Sequence, residues 1–153
     1  MNICKLIILG IIESCVGTSS ITTGEQMDYT KALEQVVQSI NDEKNVDKVD
    51  LLRVMPTSNE EAITFYKLDY DKSTSEAFQK LDKMIVDHVR SGNADFMNRY
   101  LRMSPYVDGY FAEAYFDNID YLSSNNQELF CSFYTPLSQE EKRRLKDYST
   151  QCK

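Results

Sequence analysis

Residues 73–90, STSEAFQKLDKMIVDHVR, carry the clearest structural signal in the chain. Ala77, Leu81, Ile85 and Val89 recur every fourth position with Phe78 alongside, so a helix turns all five onto one continuous apolar stripe. Ser73 with Glu76 reads as a capping box, the hydroxyl accepting from the third helical amide and the carboxylate reaching back. Ser91-Gly92 supplies the stop. The spacing predicts a helix over 74–90.

The same punctuation extends in both directions. SNEE at Ser58 and SQEE at Ser138 read as further capping boxes, Ser104-Pro105 as an N-cap with proline at the first helical position, and Asn125-Asn126 as a stop. Helices are predicted near 29–43, 59–70, 74–90, 94–103, 105–123, 127–134 and 139–150. The segment 46–55 is ambiguous. Its VDLLRVM has the composition of a short strand, but no second alternating run exists to pair with it, so it is read as helical. With only five Gly and three Pro in 153 residues, the fold class is all-α with about seven helices.

Self-comparison adds a weaker pattern. SGNADFMNRYL from Ser91 aligns with SNNQELFCSFY from Ser124 at an offset of 33, and NEEAITFY from Asn59 fits at 34, matching Glu61, Ile63 and Tyr66 to Asp95, Met97 and Tyr100. Each unit holds a shorter helix followed by a second one. Over roughly 59–152 this resembles HEAT-like or tetratricopeptide-like stacking in general, although the small-residue and aromatic pattern of the tetratricopeptide family is missing. The resemblance implies stacked antiparallel helical hairpins, as a short solenoid or a closed bundle.

The N-terminus decides compartment. Met1–Lys5 precede the apolar run LIILGII, which is too short to span a bilayer, and the whole reads as an export signal over 1–17. Cys15 follows Ile12, Glu13 and Ser14 in a way that resembles a bacterial lipoprotein box, with Glu13 departing from it. Lipidation at Cys15, ordinary cleavage near Gly17 or Ser19, and no processing all remain open. Residues 18–27 then read as a polar tether and 28–153 as one all-α domain. Export leaves Cys131 and Cys152, an even pair for which a disulfide is expected in an oxidising compartment. The expected location is the periplasm, free or lipid-anchored, or outside the cell. A lipid at Cys15 is the only membrane attachment foreseen.

The net charge of −7 repels phosphate backbones and argues against nucleic acid as a partner. Lys142, Arg143, Arg144 and Lys146 lie among Glu140, Glu141 and Asp147 and read as a solvated helix face. No catalytic set is found. His88 is the sole histidine, and HExxH, CxxC, GxSxG and GxxxxGK[ST] are absent, so no enzyme, metal or cofactor is expected. Asp69, Asp71, Ser73 and Ser75 copy a calcium-loop spacing, but Thr74 and Lys80 stand where the turn Gly and the bidentate Glu belong. Glu113, Asp117 and Asp120 share a helical face without any sign of a cleft.

The binding expectation falls on the 105–123 helix. Tyr106, Tyr110, Glu113, Asp117 and Tyr121 project to one side, while Val107, Phe111, Ala114, Ile119 and Leu122 are predicted to pack inward. Tyrosine brings contact area at small entropic cost, and bordering carboxylates select a partner with a basic surface. The alternative is that these tyrosines sit half buried between helices. The expected function is an exported, non-catalytic module that binds another protein. In kind, the combination of signal, short helical domain, acidic face and disulfide resembles the periplasmic immunity proteins that neutralise a secreted toxin. A carboxylate-based hydrolase is the third alternative.

Overall fold

In the computed structural model, which describes residues 22–152, the apolar stripes and their caps resolve into helices throughout. The order is α1 (Thr22–Asn41), α2 (Lys48–Arg53), α3 (Asn59–Tyr70), α4 (Ser75–Arg90), α5 (Ala94–Arg102), α6 (Tyr110–Asn125), α7 (Gln127–Tyr134) and α8 (Gln139–Arg143), closed by a 3-10 helix, Lys146–Cys152. The chain is all-helical over the described residues, as its periodicity predicts. Nine helices stand there instead of about seven. The ambiguous 46–55 segment forms α2, and the predicted 139–150 helix divides in two. Its second half is held by Leu145 in the core and by Cys152 bonded to Cys131, and between those fixed points it winds in the tighter 3-10 form.

Residues 1–21, with the predicted signal and Cys15, lie outside the described residues. Part of the predicted tether, 18–27, is helical instead, because α1 already starts at Thr22. Glu25, Gln26 and Met27 are good helix formers and carry the winding upstream of the predicted start at 29. Among the described residues no helix is long and apolar enough to cross a membrane.

Helix α4 is the centre of the packing. Its stripe of Ala77, Phe78, Leu81, Ile85 and Val89 is buried throughout, and it packs against α1, α2, α3, α5 and α6. Leu33, Val36 and Ile40 of α1, Phe65 of α3, Phe96 and Leu101 of α5, Ile119 and Leu122 of α6, Phe130 of α7 and Leu145 complete a single core. Gly92 ends α4 at φ 78, with Gly92 N–H donating to Val89 and Asn93 N–H to His88. This is the left-handed helix ending that glycine tolerates without a Cβ clash. Asn93 then caps α5 by accepting from the Asp95 and Phe96 amides.

The capping boxes differ from one another. At Ser138 both halves are present, Oγ accepting from Glu141 N–H and the Glu141 carboxylate accepting from Ser138 N–H. At Ser58 only the hydroxyl half forms, and Glu61 accepts instead from the amide and hydroxyl of Thr57. At Ser73 there is no box. Its hydroxyl donates to Asp71 Oδ1 at 2.7 Å, and Thr74 becomes the N-cap without a side-chain bond, its own hydroxyl donating to the Leu68 carbonyl.

The start of α6 is the main departure from expectation. Ser104 is fully buried and donates to the Glu141 carbonyl at 2.6 Å, so its hydroxyl is already engaged and caps nothing. Residues 103–109 form a loop, and the helix begins at Tyr110 behind Gly109, whose φ of 58 and ψ of −133 suit glycine alone. Val107 is buried from that loop and Tyr106 lies outside the helix.

Candidate functional site

The loop before α6 is held from the C-terminal side. Arg144 donates to the Val107 carbonyl and reaches Asp108, and its guanidinium lies 5.9 Å from the Phe116 ring centroid. Lys142 donates to the Thr135 carbonyl and sits over Tyr134. Two of the four clustered cations are therefore structural ties, not a solvated face. The C-terminal segment is fastened in turn by the Cys131–Cys152 disulfide, S–S 2.02 Å with Cα atoms 5.1 Å apart. Covalent closure, loop position and the entry of α6 form one mechanical chain.

That chain sets one wall of a groove of about 480 Å³ between α3 and the loop. Ile63, Tyr66 and Tyr70 line it from α3, and Tyr106, Asp108 and Phe111 from the other side. Phe111 is the hub. It stacks on Tyr66 at 4.2 Å between centroids and meets Tyr70, Phe78 and Tyr110 edge-on. At the rim Tyr110 is 76% exposed, Tyr70 73% and Ile63 62%, an apolar and aromatic exposure that the rest of the described surface does not gather in one place. Tyr106 is half buried, its hydroxyl pushed above the usual phenol range by burial and by the carboxylates of Glu140, Glu141, Glu61 and Glu60. Acids thus gather on the Tyr106 side of the groove, and Lys67 of α3 lines it as well.

Of the five predicted binding residues, the fold brings Tyr106 and Tyr110 to this groove. Glu113, Asp117 and Tyr121 run along the exposed face of α6, where Arg90 sits 4.8 Å over the Tyr121 ring. Tyr106 reaches the groove from the loop, so the predicted stripe of five on one helix is corrected to four on α6 and one before it. The inward face also differs. Ala114 is exposed, and Tyr115 and Asn118 are buried in its place. Tyr115 donates to the Tyr100 carbonyl at 3.1 Å, which also accepts from Met103 N–H at the end of α5, and Asn118 donates to Tyr100 Oη and accepts from Arg90 Nε.

Sequence reasoning missed Ile63, Tyr66 and Tyr70. The signal was present, because the three fall at helical spacing on α3 just as the α6 stripe does. Asp120 is exposed and accepts from Tyr148 Oη at 2.7 Å, and Glu113 and Asp117 line neither the groove nor the recess beneath it. His88 stacks on Phe96 at 4.5 Å. In the calcium-like stretch Asp71 accepts from Ser73 and Asp69 from Ser75, an arrangement that ends α3 and starts α4. Among the described residues no three His, Cys, Asp or Glu side chains group as a metal site.

Compared with protein-family models, curated proteins and solved structures, the chain has no match. What the site does is therefore read from its own geometry and charge.

Proposed function

We propose that the protein is a binding module which captures a basic segment of another protein in the groove between α3 and α6. The observation that carries this reading is the exposure of Tyr110, Tyr70 and Ile63 around a groove with acids gathered on its Tyr106 side. Rigid aromatic anchors in a depression are what a protein interface needs at its centre, and here the acids around Tyr106 outnumber the one lining cation, Lys67. The net charge of −7 and the exposed Glu113 and Asp117 favour encounter with a basic partner. Helices α3, α5 and α7 begin at residues 59, 94 and 127, close to the offsets of the sequence repeat, and α3 packs on α4, whereas α5 and α6 both pack on α7 more than on each other, so the repeat does not extend to a series of hairpins.

The working compartment is proposed to be outside the cytoplasm. The apolar N-terminal run and the paired Cys131 and Cys152 support this. Intact mass of protein from its own cells, with and without reductant and alkylation, tests it: two oxidised thiols and an N-terminus at Cys15 or near Gly17 are expected, and a full-length chain with free thiols sinks the export reading.

The binding reading is tested by placing a photoreactive benzoylphenylalanine at Tyr110 or Tyr70 in those cells. One discrete cross-linked partner is expected from both positions and none from the exposed Val49 on α2, which lies outside the groove. Identical labelling from all three positions overturns it.

A further inference from the structure

Beneath the groove lies a recess of about 40 Å³, sharing Tyr66 and Phe111 with it and lined as well by Phe78, Tyr100 and Tyr115. Asp82 of α4 is the one charged residue on its wall. No hydrogen-bond donor or cation among the described residues pairs with that carboxylate. Burial, and after it the like charge of Asp69, makes this carboxyl hold its proton more tightly than an ordinary aspartate does. The other polar lining group, Asn118, has its amide committed to Tyr100 and Ala114 and its oxygen to Arg90.

Asp82 is half-buried, so its carboxylate faces aromatic rings on one side and keeps contact with solvent on the other, which makes its ionised form only partly desolvated. The recess has a clear ligand chemistry: a carboxylate supplies the counter-ion, and aromatic rings attract cations where water is partly excluded. Size then selects among cations. Since one water occupies about 10–15 Å³ by this measure, the recess holds about three heavy atoms. The end of an alkyl chain with its ammonium fits, whereas guanidinium and trimethylammonium are wider.

We infer that this recess is a binding site for a primary alkylammonium group, with Asp82 as its counter-ion. The group comes either from a lysine of the partner that lies in the groove or from a free small amine. The inference deepens the groove reading, but its probe needs no partner, so it fails separately from the cross-linking test.

The test is an NMR titration of the full chain with n-butylammonium, n-butanol and tetramethylammonium. n-Butylammonium is expected to shift the Asn118 amide and the Ala114 and Ile85 methyls saturably, with Kd on the order of 1–10 mM for so small a ligand. n-Butanol is expected to bind at least tenfold more weakly and tetramethylammonium not to reach these residues. Asp82→Asn is expected to weaken n-butylammonium tenfold or more. Equal shifts from butanol and butylammonium overturn the inference, as does a titration that leaves the recess unmoved. The wild-type series decides this even where the variant fails to fold.

A capped Gly-Lys-Gly peptide separates the two sources. Tighter binding than n-butylammonium, with shifts at Tyr70 and Tyr110, assigns the ammonium to a partner lysine. Weaker binding assigns it to a free amine.

Discussion

Helices α4 and α6 are both 16 residues long and bury different kinds of face. Every fully buried position of α4 is apolar, and the helix is surrounded by five others. Helix α6 packs mainly on α4 and α7, and with Ile119 and Leu122 it buries Tyr115, Asn118 and Ser123. A helix enclosed by others is held by area removed from water, which is strong and has no direction. A helix at the edge of the core is positioned by directed bonds, here from Tyr115 to the end of α5 and from Asn118 to Tyr100 and Arg90. Orientation is what matters for α6, because its first residues form the rim of the groove.

The contrast predicts a graded set of effects. Leu81 is fully buried at the middle of α4, so Leu81→Ala is expected to cost about 2–5 kcal/mol through lost burial and a residual cavity. A shift in urea midpoint smaller than that of Tyr115→Phe would reverse the roles assigned to the two helices. Tyr115→Phe keeps the ring and removes the bond to the α5 carbonyl, an expected loss of about 1–2 kcal/mol. Gly109→Ala meets no atom within 4 Å, so its expected cost of about 1–2 kcal/mol comes from backbone conformation alone. A larger loss there, with altered Tyr110 cross-linking, shows that the loop and the groove move together.

Asp82 sharpens the comparison from the polar side of α4. Its proton affinity is raised in the folded state, so the native chain binds more protons than the unfolded chain at pH values just above the ordinary aspartate range. Wild-type stability therefore contains a contribution that is complete below about pH 3.9 and is lost as pH rises through the raised native value. Asp82→Asn lacks this loss. It is expected to melt on the order of 1–3 °C above wild type at neutral pH, with the gap closing toward pH 4. Unchanged or lowered melting at pH 7 would mean that Asp82 has a stabilising partner after all. The smallest stability effect, within about 0.5 kcal/mol, is expected for Tyr110→Ala, since that ring is 76% exposed. Binding measured on the same variant is expected to fall well beyond that margin.

The two helices also differ in how far they are readable. The α4 stripe repeats every four residues, and each of its members is buried, because a helix enclosed by others converts apolar periodicity directly into burial. The α6 boundary was misread because Ser104-Pro105 carries the pattern of a cap while its hydroxyl is bonded to Glu141, 37 residues away. A local motif cannot reveal that a distant carbonyl has claimed its donor. The same holds for Ser73, whose hydroxyl serves Asp71.

Amino-acid pattern by itself determined the helical class and most helix positions, since both depend on spacing along the chain, while the Cys131–Cys152 pairing was expected from cysteine count once export removes Cys4 and Cys15. Tertiary structure alone decided that Tyr106 and Phe111 share one groove with Ile63, Tyr66 and Tyr70, that Tyr110 packs edge-on against Phe111, that Arg144 ties down the loop that carries Tyr106, and that Asp82 stands unpaired beside aromatic rings. These depend on which faces of separate helices come together. That is set by the sum of core contacts and by polar groups meeting across long separations, and no local window of sequence contains it.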